Sequence, residues 1–184
     1  MLFRSGGRTM QLNFKLEGSA AASGKNLPLA DYRVISPSLL ATLRIPLRQG
    51  RALSEQDTIE TPVAYLVNEA FARAYGPQGS LVGRRLLLGY ESEWPGEIVG
   101  IVGDVKHRNI EAEAFPTIYI SYRQCQTQPR FPIMHFLVRA RRDPETLGAE
   151  IRREFSASNP NQVVFYLRPL SGFVDDAQAQ RRFS

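Results

Sequence analysis

The sequence predicts an α+β fold in which short helices cover a sheet. Three observations carry that expectation. Short runs rich in β-branched and aromatic residues recur, each bounded by turn residues, at 29–35, 63–67, 97–106 and 117–122. Stretches with apolar residues at helical spacing follow some of them. The order strand, Ser/Asp-Pro, helix occurs at Ser36-Pro37 and again at Asp143-Pro144, a weak internal repeat that suits a split βαβ layer. Of the 184 residues 43% are hydrophobic and 22% charged, so the chain is long enough for one core or two small ones and is not disordered by composition.

In chain order, 29–35 reads as a strand, and Ser36 as the N-cap of a short helix with Pro37 at its first position, where a missing N–H costs nothing. Leu39, Leu40 and Leu43 give that helix its apolar face, and Ile45-Pro46 ends it. A second strand at 63–67 leads to a helix capped by Asn68, with Phe71, Ala74 and Tyr75 on one side and a stop at Gly76-Pro77. Hairpin-like strands are predicted at 84–88, 97–106 and 117–122. In the middle one, Ile98, Val99, Ile101, Val102 and Val105 are punctuated by Gly100 and Gly103, places where another backbone can approach closely. Ile118, Tyr119 and Ile120 read as its partner strand.

A polar crossing at 124–132 follows, rich in glutamine and proline. Residues 136–140 then read as a strand, Asp143 as an N-cap, and Leu147, Ile151 and Phe155 as a helical stripe closed by Asn159-Pro160. A return strand at 163–167 completes a βαβ unit. From Pro169, Leu170, Phe173, Val174 and Ala177 fall at helical spacing. The domain reading is therefore 1–50 with 130–170 as one α/β subdomain, 51–129 as an inserted β-rich subdomain, and 171–184 as a C-terminal helix.

Candidate chemistry is sparse. The formal charge of +5 comes from arginines scattered in pairs, which suits solvated faces and not a nucleic-acid footprint. Asp104, His107, Glu111 and Glu113 form the one acid/histidine cluster, and the His107 to Glu111 spacing suits a metal only on a helix. Asn109 and the strand before Asp104 predict a turn, so the cluster reads as a solvated connector. His135 reads as a strand residue with a satisfied ring, since no serine or cysteine nucleophile has a recognisable context. The stretch GPQGSLVGRRLLLG fails as a phosphate loop: Gly79 to Gly83 is too short, Arg84-Arg85 stands where Lys-Ser/Thr belongs, and a strand follows. Cys125 is alone in a polar loop, so no intrachain disulfide forms. No catalytic, cofactor-binding or metal site is predicted, and the chain is read as a non-enzyme. No run approaches the ~18 apolar residues of a membrane span. The first ten residues hold no apolar signal region, so the chain is not expected to direct its own export.

IPLRQGRALSEQD, the run 97–122 and the closing AQAQRRF, together with the order YRVISPSLLATLRIPLRQGR, VAYLVNEAFARAYGP, VGRRLLLG, resemble the MacB-like periplasmic core domain of ABC-transporter permeases, over 14–184. The resemblance implies a porter-like subdomain built from both ends of the chain with a second lobe inserted, lying outside the cytoplasmic membrane between two transmembrane helices. A helix and strand that the family carries ahead of Phe14 are missing, which puts the first sheet strand in question. The implied function is non-catalytic: transmitting motion between transmembrane helices and periplasmic partners or cargo. The implied partners are the permease's own helices, a cytoplasmic ATPase acting indirectly, and a periplasmic adaptor or second permease copy. Gln180, Arg181, Arg182 and Phe183 would then form the membrane-proximal coupling, with the arginines at lipid phosphates. The alternative is a self-standing two-lobed ligand- or protein-binding sensor whose cleft is lined by Tyr32, Tyr65, Trp94 and Tyr119.

Overall fold

A computed structural model describes residues 10–17, 27–76, 79–89, 94–105, 113–125 and 135–158, with 160, 164, 167–169 and 171–172 beyond them. The described residues are α+β, with a sheet-rich core and few helices. By internal contacts the chain forms two compact units, 1–137 and 138–184.

Among the described residues seven strands make one sheet in the first unit: β1 (Met10–Leu16), β2 (Leu29–Ile35), β3 (Leu47–Gly50), β4 (Val63–Asn68), β5 (Arg85–Leu88), β6 (Trp94–Val102) and β7 (Thr117–Ser121). Their order is β3-β6-β4-β7-β2-β1-β5, and β5 pairs with β6 as well. That last ladder closes β1, β2, β7, β4, β6 and β5 into a six-stranded barrel, with β3 attached outside the circuit. Strands from within 1–50 and from within 51–129 thus share one sheet.

Closure has a plain physical cause. Residues alternate inward and outward along each strand. Phe14, Leu16, Tyr32, Tyr65, Val67, Leu86, Leu88, Ile98, Ile118 and Ile120 form one buried cluster inside, while Ile35, Ala64, Leu66, Val102 and Tyr119 join a second cluster on the outer face. In β6 the alternation breaks where the register slips between Tyr65↔Ile98 and Leu66↔Gly100; this bulge turns Ile101 inward and Val102 outward. The outer cluster is covered by α1 (Leu39–Leu43), through Leu40, and by the strap 51–62, through Leu53.

Helix α2 (Glu69–Tyr75) seats Phe71 in the interior, where Phe14, Phe71 and Tyr75 pack with ring centroids 4.9–5.0 Å apart. Its apolar side is Phe71, Ala72 and Tyr75; Ala74, expected there, is exposed.

The glycines of the middle strand serve the close approach the sequence pointed to. β3 lies so near β6 that a Cβ on Gly100 would stand 2.4 Å from the Arg51 carbonyl oxygen, and one on Gly50 2.2 Å from that of Val99. Gly50 also has φ +71°, a conformation that L side chains rarely adopt.

Three local expectations are corrected. β6 and β7 are not partners: β4 lies between them, parallel to β6 and antiparallel to β7. β4 is apolar on both faces, and only a central position buries both. Second, α1 begins two residues late, with Ser38 at its N-cap, because Pro37 sits in a turn closed by Leu39 N–H donating to the Ser36 carbonyl, 3.0 Å. The helix ends with Arg44 at φ 55°, in a Schellman arrangement in which Arg44 and Ile45 N–H donate to the Ala41 and Leu40 carbonyls. Third, 136–140 joins no ladder among the described residues, and Phe136 and Val138 are 65% and 63% exposed. Alternating apolar residues there are not buried against a sheet, so the split βαβ unit is not formed by the described residues. Most of its return strand, 163–167, lies outside them.

In the second unit, α3 (Pro144–Ser158) follows Asp143, whose carbonyl accepts from Thr146 N–H and Oγ1. Leu147, Gly148, Ile151 and Phe155 are its half-buried stripe.

Candidate functional site

The densest polar cluster among the described residues lies where β4 and β6, running parallel, both end. Asn68 is fully buried and caps α2. Its Oδ1 accepts from Phe71 N–H (3.0 Å) and Thr117 N–H (2.9 Å); its Nδ2 donates to the Phe115 carbonyl (3.0 Å) and to Asp104 Oδ1 (2.8 Å). One side chain thereby ties β4, α2 and the start of β7 together. Asp104 completes the cap. Its Oδ1 also accepts from Ala70 N–H at 2.8 Å, and its Oδ2 from Arg73 at 2.8 Å. Glu69 lies beside it, accepting from Asp104 N–H and pairing with Arg48 at 3.1 Å.

Asp104 was the first member of the acid/histidine cluster. Both its carboxylate oxygens hold the first turn of α2 and its neighbours, so its role here is to satisfy helix-terminal donors. Glu113 is exposed, while His107 and Glu111 lie outside the described residues. Among the described residues no three His, Cys, Asp or Glu side chains are grouped as metal ligands.

His135, expected within a strand, is exposed and outside any strand. The Gly79–Gly83 stretch is a turn that buries Leu81 and delivers β5: Gly83 N–H donates to the Ile98 carbonyl and Ile98 N–H to that of Arg84. Of the aromatic quartet, Tyr32, Tyr65 and Tyr119 are buried. Tyr32 and Tyr65 point into the barrel and Tyr119 lies on its opposite face; Trp94 is half-buried, 6.3 Å from the Tyr32 ring. Four side chains on two faces of a sheet line no common cleft. Burial raises the Tyr32, Tyr65 and Tyr119 hydroxyls above the ordinary phenol range, so they stay neutral. Gln180, Arg181, Arg182 and Phe183 lie outside the described residues, and no described helix is long and apolar enough to cross a membrane.

Two polar sites escaped sequence reasoning. Arg51 grips Asp57 with both guanidinium nitrogens, at 2.9 and 2.8 Å, and Ser54 N–H donates to the same carboxylate at 2.7 Å. Burial pushes the Asp57 carboxyl up, but the hydrogen bonds from Arg51 and Ser54 outweigh it and hold the group below the usual carboxylate range. The signal was the spacing within RALSEQD. The other is Gln124. Placed by sequence at the start of a polar crossing, it is instead buried in the 3-10 turn Tyr122–Gln124. Its Oε1 accepts from Ala64 N–H at 3.0 Å, and its Nε2 lies 3.0–3.2 Å from the Thr58 and Pro62 carbonyls and Thr61 Oγ1. Next to it, Cys125 Sγ is 3.4 Å from the Tyr32 hydroxyl. No sequence period marks a glutamine of this kind.

The barrel is stitched at its strand ends by polar side chains that bind backbone groups, Asn68, Asp57 and Gln124 among them. The fold is similar to that of the periplasmic region of MacB from Actinobacillus actinomycetemcomitans, with a TM-score of 0.57 and 12% identity over 82% of this chain. It is also similar to the extracellular domain of the noncanonic ABC-type transporter YknZ from Gram-positive bacteria, with a TM-score of 0.55 and 12% identity, covering 84% of this chain and 74% of that one. The match spans 64% of the MacB region. No protein-family model and no curated protein matches the sequence.

Proposed function

We propose that this chain is a non-catalytic extracytoplasmic domain of a MacB-like ABC-transporter permease, passing motion between transmembrane helices and periplasmic partners or cargo. The observation that supports it most is the shared fold with two external domains of such transporters. The site chemistry agrees in kind: Asn68, Asp57, Asp104 and Gln124 are committed to holding backbone and neighbouring side chains in place. A domain that transmits displacement needs a body that resists deformation, and the closed circuit of six paired strands leaves only β3 with an unpaired edge among the described residues. In this reading the ATPase acts from the cytoplasm through the membrane helices, and the outside partner is a periplasmic adaptor or a second permease copy. Gln180, Arg181, Arg182 and Phe183 form the coupling next to the membrane.

The test is a distance measurement on the full-length native protein in membranes, between a spin label at the exposed position Ala74 of α2 and labelled lipid headgroups. ATP with its hydrolysis transition-state analogue is expected to shift the distance distribution. An unchanged distribution in a protein that hydrolyses ATP would remove mechanical transmission from the account.

A further inference from the structure

Strand β3 stands outside the barrel circuit and, among the described residues, pairs with β6 alone. Its other edge faces solvent. All of Leu47–Gly50 is exposed, and at Gly50, which has no side chain, the exposed surface is backbone. An open edge of this kind is a template for one more strand.

Beside that edge lies a pocket of about 280 Å³. Gln49 of β3 and its register partner Ile101 of β6 line one side of it, and Ala72, Gly76, Ser80 and Leu81 line the rest. Successive side chains of a strand point to opposite faces. A strand laid along β3 would therefore turn every second side chain towards this pocket. A four-residue edge offers few backbone hydrogen bonds, so an apolar side chain seated against Ala72, Leu81 and Ile101 supplies the selectivity that the backbone lacks.

Charge decides which strand fits. From Ser36 to Ser54 the chain carries Arg44, Arg48 and Arg51 and no acid. Arg48 pairs with Glu69 and Arg51 with Asp57, yet both arginine side chains remain 53% exposed, and Arg44 is exposed as well. A second copy docking its own β3 here would set these arginines against their counterparts, and like charges across a ladder repel. The arginines that bar self-pairing favour a strand of opposite charge.

We infer that the open edge of β3 is a docking site for an extended acidic segment of a partner protein, which adds a strand to the sheet and seats an apolar side chain in the pocket beside Gln49. The site lies wholly within the barrel's unit, and its binding does not rest on the permease reading.

The experiment is an amide chemical-shift titration of this chain with a short synthetic peptide of alternating valine and glutamate, and with its valine–lysine twin. The glutamate peptide is expected to bind saturably, with the largest shifts at 47–50 and at Ala72, Gly76 and Leu81, and about tenfold more tightly than the lysine twin. Arg48→Glu is expected to reverse that preference. Ser80→Tyr, which fills the pocket from an exposed position, is expected to weaken the glutamate peptide about tenfold. Absence of saturable shifts, shifts centred elsewhere, or equal affinity for the two peptides would overturn the proposal. Shifts at 47–50 that grow with protein concentration alone would make a second copy the occupant, and would overturn it too. If Arg48→Glu does not fold, the comparison of the two peptides on the parent chain decides. None of these outcomes bears on whether the domain belongs to a permease.

Discussion

At the scale of single residues, the fold depends on a few polar side chains that replace missing backbone partners. Asn68 is the clearest case. Asn68→Ala would leave the buried Phe71 and Thr117 N–H donors without their acceptor, so a loss of at least about 2 kcal/mol is expected in urea unfolding. Asn68→Asp keeps the acceptor for Phe71 and Thr117 but places a charge beside Asp104. The cap was legible because an asparagine stands between an apolar strand and a helical period; the reach of its Nδ2 to Phe115 and Asp104 was not, since those contacts span 47 and 36 residues. Asp57 gives a pH signature. Its carboxyl titrates lower folded than unfolded, so as pH falls the unfolded chain takes up the proton first. The stabilisation from the Arg51 pair is therefore complete above the unfolded value of about 3.9 and is lost as pH falls through the folded value. Asp57→Asn is expected to cost about 1–3 kcal/mol at pH 7, and the gap between parent and variant should narrow below about pH 4 in denaturant titrations.

At the scale of elements, local pattern located most segments and missed how they pair. The apolar runs of β2, β4, β6 and β7 and the capping signals of α2 and α3 stand in the sequence within a few residues of their observed bounds. Pairing did not, because ladders here join distant segments: β4 between β6 and β7, and β1 between β2 and β5. The 136–140 run shows the converse, since an apolar alternation is only a strand once something pairs with it. Glycines provide two opposite tests. Gly50→Ala puts a Cβ 2.2 Å from the Val99 oxygen at φ +71°, and a loss of more than about 2 kcal/mol is expected from chemical denaturation. Gly148 lies inside α3, and an added Cβ would meet Leu167 Cδ2 at an ordinary 3.8 Å. Gly148→Ala is expected to stabilise the second unit by up to about 1 kcal/mol, read as slower amide exchange along α3.

At the scale of the whole molecule, closure of the sheet is the feature the sequence concealed. A short β5 of four residues spans the gap between β1 and β6, and nothing in RLLL distinguishes a strand with two neighbours from one at an edge. The sequence nevertheless pointed to the right class, an α+β domain with a sheet-rich core and few helices, while the split βαβ arrangement is not seen among the described residues. The central claim is that the domain works outside the cytoplasmic membrane, held to it by its own permease. The most direct measurement is topological labelling of the full-length native protein carrying a cysteine at the exposed position 74 in place of alanine, with Cys125 changed to serine. A membrane-impermeant maleimide is expected to label it in intact cells whose outer envelope is made permeable, with the protein remaining in the membrane fraction after a carbonate wash. Labelling only after lysis of the cytoplasmic membrane, or recovery of the protein in the soluble fraction, would contradict the account.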